Sequence, residues 1–247
     1  MQRWLVAGAL LLITALALGY TCWLATGFDM STMMSPTFVA WSPGYFTFML
    51  IMWIVMMVGM MTPSVAPTVL LYAEFARRNT REGQSFPSVG WFVAGYLLAW
   101  SAFAVLATLF QWLLEWLALI TPMMAGTSRG LGAAVLIAAG VYQWLPVKQS
   151  CLAQCRSPLS FIQKQGGIPS RARGALRLGW RHGLYCIGCC WALMLLLFAF
   201  GVMNLYWIAG LMVFVLLEKM LPFAAIFSRA AGVAAVVVGL GLVSGGT

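Results

Sequence analysis

From Tyr45 to Tyr72 the chain runs for 28 residues without one charged side chain. A helix of about 20 apolar residues already crosses the hydrocarbon of a bilayer. Within lipid a backbone must satisfy its own polar groups, so spanning segments are helices or the strands of closed barrels. A run of this length suits only the helix. Further apolar runs follow at Trp4 to Thr26, Val89 to Leu114, Gly130 to Val147, Gly183 to Met203, Leu205 to Leu217 and Pro222 to Val243. Charged residues make up only 8% of the chain and hydrophobic ones 63%. So few polar groups cannot cover a water-facing surface, which excludes a soluble enzyme, a secreted mini-protein and a nucleic-acid binder. The sequence predicts an all-α, polytopic transmembrane helical bundle, a single domain over 1–247 with about seven spans. The count falls to six if the brief segment 205–217 is a re-entrant or half-crossing element instead.

The first run is long for a signal peptide, and Cys22-Trp23-Leu24-Ala25-Thr26 is a poor cleavage site, so a retained first helix is expected. Placing the N-terminus in the cytoplasm puts Arg3, Arg77, Arg78, Arg81, Lys219, Arg229 and the basic residues of a 148–181 loop on one side. Only Arg129 is left outside, an asymmetry of the positive-inside kind. The formal net charge of +9 then needs no nucleic acid, because the lipid bilayer with its anionic headgroups is partner enough. Trp23, Trp41, Trp91, Trp112, Trp116, Trp144 and Trp180 fall near span ends, as an aromatic belt would.

Five of the six cysteines gather at the face this topology makes cytoplasmic. Cys151 and Cys155 stand at i and i+4, which puts both thiols on one side of a helical turn. His182, Cys186 and then Cys189 and Cys190 form a second stripe at the start of the fifth span. Both halves begin at the cytoplasmic ends of neighbouring spans. The cytoplasm is reducing, so structural disulfides explain these thiols poorly. Clustered thiolates with an imidazole suit copper, zinc or an iron–sulfur centre, and the spacings match neither a zinc finger nor a ferredoxin. Small apolar packing is the plain alternative for one or two of them, and dithiol redox chemistry is another. Arg156, Arg177 and Arg181 either stabilise thiolates or face water and phosphate. Cys22 stands apart, near the opposite face.

Met49, Met52, Met56 and Met60 repeat at i, i+3, i+7 and i+11. Such a row is either flexible core packing or a relay of weak soft donors for Cu⁺, with Met56 and Met60 the candidate relay residues. Met33, Met34 and Asp29 lie at its outer mouth. Pro63 and Pro67 predict a kink or tilt, beside Thr62 and Ser64, where broken helices line sites. Glu218 would need a partner if buried, but adjacent Lys219 argues for an interfacial position. No nucleotide loop, nucleophile elbow or acid–base pair is present, so enzymatic activity stays undecided.

Several blocks resemble a family of bacterial integral membrane proteins of unknown function described as predicted metal-binding, the DUF2182 family. They are Met56 to Pro67, Gly140 to Lys148, Cys151 to Pro158, His182 to Met194, and Glu218-Lys219. The resemblance implies a multi-pass protein of the bacterial cytoplasmic (inner) membrane with a metal-linked role. The expected function is binding of a soft metal, Cu or Zn, for handling or delivery. Cys151, Cys155, His182, Cys186, Cys189 and Cys190 are the candidate ligands and Met56 and Met60 a relay. Two alternatives stand beside it: an accessory or assembly subunit packed against other membrane subunits, and a thiol-based membrane oxidoreductase.

Overall fold

The computed structural model describes residues 2–27, 41–81, 89–119, 129–202 and 204–244. Every regular element among them is an α-helix. In chain order these are α1 (Gln2–Gly27), α2 (Pro43–Arg81), α3 (Val89–Trp116), α4 (Arg129–Tyr142), α5 (Pro146–Arg156), α6 (Pro158–Lys164), α7 (Ala172–Met194), α8 (Leu196–Phe200), α9 (Leu205–Met220) and α10 (Ala224–Ser244). Five segments are long and apolar enough to cross a membrane, within α1, α2, α3, α7 with α8, and α10; a sixth results if α4 and α5, bent by 66° at their break, form one span.

The all-α membrane bundle expected from hydropathy is therefore what the chain forms, with five or six crossings. The seventh segment is α9, whose 16 residues reach about 24 Å at 1.5 Å per residue, short of a hydrocarbon core about 30 Å thick. Its start is capped by Asn204, whose side chain accepts a 3.1 Å hydrogen bond from the Tyr206 amide.

Both prolines of α2 lie inside one helix, which carries the Met row through the bundle. Proline removes the donor for the carbonyl four residues back, and nearby hydroxyls add bonds where that ladder is interrupted. Thr62 Oγ1 donates to the Val58 carbonyl at 2.6 Å, and Ser64 Oγ to the Met61 carbonyl at 2.8 Å. Tyr96 of α3 donates to the same Met61 carbonyl at 3.1 Å. This contact, with Trp53 meeting Gln111, sets α2 and α3 antiparallel.

Glycines set how close the other helices come. Gly95 of α3 lies against the Leu176 carbonyl of α7, and Gly179 of α7 against the Phe92 carbonyl of α3, so no side chain fits at either crossing. In α4 and α10 the arrangement is reciprocal. A methyl added at Gly140 would lie 2.7 Å from the Gly232 carbonyl oxygen, and one at Gly232 would lie 2.7 Å from that of Gly140. Small residues at crossings are how membrane helices gain dispersion contact when lipid gives no hydrophobic drive to associate.

Burial sorts the helices. α2 and the α7–α8 span are central, with 56% of their most apolar stretch buried, while α1 and α10 bury only 17% of theirs and lie at the rim. Trp23, Trp91, Trp112, Trp116 and Trp144 are exposed, as an interfacial belt requires. The 148–181 stretch contains α5, α6 and the first turns of α7. It turns Leu152, Cys155, Phe161, Ile162, Ala175 and Leu178 into the core.

Candidate functional site

Helix α5 presents Lys148, Leu152 and Cys155 at i, i+4 and i+7, and all three are buried. That face packs against α7, where Cys186, Cys189 and Cys190 are fully buried. Cys155 of α5 neighbours the Cys186 and Cys189 thiols. Cys189 and Cys190 turn back on their own helix, each Sγ lying 3.0 Å from the Cys186 carbonyl oxygen. Cys151 is half-buried and seats its sulfur over Gly188, 2.8 Å from where a β-carbon would stand.

Cys186 is the centre of these contacts. Its Sγ lies 2.9 Å from Lys219 Nζ and 3.2 Å from the Tyr96 hydroxyl. Lys219 also donates to Ser64 Oγ at 3.0 Å. An ammonium group inside the bundle thus rests between a thiol of α7 and a hydroxyl beside the prolines of α2. A cation at hydrogen-bond distance from sulfur favours the thiolate, the form that ligates soft metals.

His182 lies one turn before Cys186 and is buried among aromatic rings, with Phe161 at 4.9 Å and Phe92 and Tyr96 each at 6.0 Å between ring centroids. Its Nε2 is 3.5 Å from Thr68 Oγ1, and its Nδ1 has no hydrogen-bond partner. Met56 and Met60 are buried in α2, while Met33, Met34 and Asp29 lie outside the described residues. Among the described residues no group of three or more His, Cys, Asp and Glu side chains is disposed to hold a metal ion. Cys189 and Cys190 would have to change rotamer, leaving the Cys186 carbonyl, to share a metal ion with Cys186.

The charged residues depart from the sequence reading. Glu218 is not exposed at a surface. It is fully buried and pairs with buried Lys148 at 2.6 Å, with the Ser228 hydroxyl donating to the same carboxylate oxygen. Successive residues on a helix point about 100° apart, so Lys219 leaves Glu218 behind and reaches the thiols instead. The cation beside the thiols is therefore Lys219. Arg156 donates to the carbonyls of Leu221 and Pro222, and Arg181 to Gln165. Tyr96 and Lys219 were missed from sequence. Tyr96 carries no signal of its own, and Lys219, beside Glu218 just past the Leu205 to Leu217 run, reads as interfacial.

No curated protein and no solved structure matches the chain. A family model does match residues 50–242, that of PpoB2, described as a copper chaperone. This overturns the resemblance drawn from the motifs to the DUF2182 family. All of the quoted blocks fall inside the matched range, so the residues noticed were those of a different family. With most of its length matched, this multi-pass membrane chain belongs to the PpoB2 copper chaperone family.

Proposed function

We propose that this chain binds Cu⁺ at the buried thiols of the α5–α7 contact and passes it on to an acceptor. The observation that carries the reading is the Lys219–Cys186 contact, a cation already held at 2.9 Å from a fully buried sulfur. Cys186, Cys155 and Cys189 would be the principal ligands, with Cys190, Cys151 and His182 completing or relaying the set. A cuprous ion on two thiolates carries one net negative charge, and Lys219 offsets it inside the bundle where an unpaired charge is costly. Thiolates and thioethers suit Cu⁺ better than a hard cation, and zinc is the lesser candidate beside a copper chaperone family. Met56 and Met60, buried on α2, serve as relay donors. The thiols face the cytoplasm of a bacterial inner membrane in this reading, on the strength of the basic-residue asymmetry.

Transfer then proceeds by ligand exchange, an incoming donor replacing one thiolate at a time, with copper remaining Cu⁺ throughout. The test is metal content per chain, by elemental mass spectrometry of protein purified under reducing, chelator-free conditions. The expected result is bound copper, lost in the Cys186→Ser/Cys189→Ser variant. Unchanged copper in that variant would refute the ligand assignment.

The same contact favours a second reading, a thiol oxidoreductase, because an ammonium beside sulfur also makes a nucleophile. Reversible Cys186 oxidation in a metal-free, folded preparation would select it.

A further inference from the structure

The methionine row has another end. Glu115, in the last turn of α3, is buried at 8% exposure. Its Oε2 accepts a 2.8 Å bond from Trp41 Nε1, and its Oε1 a 2.9 Å bond from Gln111 Nε2. Gln111 is fully buried one turn earlier. Its own oxygen accepts from Trp53 Nε1 at 2.7 Å, and its nitrogen lies 3.8 Å from the Met49 sulfur.

This carboxylate differs from the other described ones. Glu74 meets Arg77 and Glu218 meets Lys148, whereas the donors on Glu115 are neutral. Both of its oxygens accept hydrogen bonds, and among the described residues no cation meets either. An ionised carboxylate buried in a membrane protein needs a counter-charge, which a bound cation would supply. A soft donor stands beside it, and more continue inward from Met49 as Met52, Met56 and Met60, none more than 2% exposed. From Met49 to Ser64, which meets Lys219, α2 advances about 22 Å.

We propose that Glu115, Gln111 and Met49 form a second Cu⁺ site, at the opposite end of the row from Cys186, where the ion is taken up before it moves along the thioethers to the thiols. This rests on the copper reading above and extends it. Glu115 supplies the charge that neutral thioethers lack, Met49 supplies a soft donor, and Gln111 orients the carboxylate. One thioether with oxygen donors holds Cu⁺ more weakly than thiolates do, so the ion moves toward tighter binding. A monovalent ion suits the route, because a divalent one would leave an uncompensated charge beside a single carboxylate. Each step is ligand exchange with no change of oxidation state.

The test uses the full chain in detergent, titrated with Cu⁺ supplied as its bicinchoninate complex, with copper-edge X-ray absorption of loaded samples. In a variant with Cys151, Cys155, Cys186, Cys189 and Cys190 all changed to Ser, weakly held Cu⁺ should remain, with mixed sulfur and oxygen neighbours. Adding Glu115→Gln should abolish it. Adding Met49→Leu, which keeps an apolar side chain of similar size, should weaken it at least about tenfold and guards against misfolding of the first variant. If the cysteine-free protein binds no copper while the parent does, the uptake site is refuted and the thiol reading stands. Binding unchanged by both added substitutions refutes it equally. If the cysteine-free protein holds as much copper, and as tightly, as the parent and loses it only with Glu115, the thiol reading is refuted instead, and a parent that binds none refutes both.

Discussion

Replacing Lys148 with Met leaves the carboxylate of Glu218 buried without a counter-charge, and the size of the penalty follows from geometry. The two charges lie 2.6 Å apart and neither side chain is exposed. At an effective dielectric of about 20 their attraction is roughly 6 kcal/mol. The desolvation of both ions offsets most of it, so the intact pair contributes little beyond an apolar pair of the same volume. Removing one partner keeps the desolvation and loses the attraction, at a cost of about 3–5 kcal/mol. Lys148→Met and Glu218→Leu should each destabilise by that amount, while the double variant should fall near the parent. Unfolding in mixed micelles with rising SDS, followed by fluorescence of the 12 tryptophans, gives the four free energies of the cycle. Single losses below about 1 kcal/mol that simply add in the double variant would show that the two charges are not coupled, and the reasoning would fail.

Backbone contact at the glycine crossings predicts that Gly179→Ala, aimed at the Phe92 carbonyl, costs about 1–3 kcal/mol or more through overpacking. Gly210→Ala, with nothing within 4 Å, should be neutral or slightly stabilising; equal effects in the same unfolding assay would count against the close approach. Tyr96→Phe removes the hydroxyl shared by the Met61 carbonyl and Cys186 and should cost about 1 kcal/mol with the spans intact, measured by the same titration. Lys219→Met should slow alkylation of Cys186 by N-ethylmaleimide, read by peptide mass spectrometry, because the ammonium that favours its thiolate is gone. An unchanged or faster rate would mean that the contact does not activate sulfur.

Hydropathy made the bundle legible because lipid imposes the same requirement on every span, whatever its neighbours. Spacing made half of the site legible too. Cys151 with Cys155, and Cys186 with Cys190, each lie one turn apart, and a turn is a local property of the chain. Partners across the bundle were not legible. Lys148 and Glu218 meet from α5 and α9, and nothing local to either marks the other. Glu218-Lys219 misled for a geometric reason. Read as neighbours in a line they form an interfacial pair; on a helix they point into different contacts, one to Lys148 and Ser228, the other to Cys186 and Ser64. The family assignment failed because the cysteine and proline blocks that prompted it lie wholly within the PpoB2 match.

Helix α5 is only 11 residues long and carries Lys148 two turns from Cys155 on the same buried face. The two residues are joined by two turns of one helix, so a swing that drew Cys155 away from Cys186 would pull Lys148 from Glu218 as well. Under the copper-transfer reading proposed above, exposure of the thiols to an acceptor would be tied to rupture of a buried ion pair. At about 3–5 kcal/mol that leaves roughly one molecule in a hundred to one in several thousand open at any moment. An acceptor that supplied its own carboxylate to Lys148, or its own cation to Glu218, would raise that fraction on docking. Release would then answer to the right partner rather than to any passing thiol.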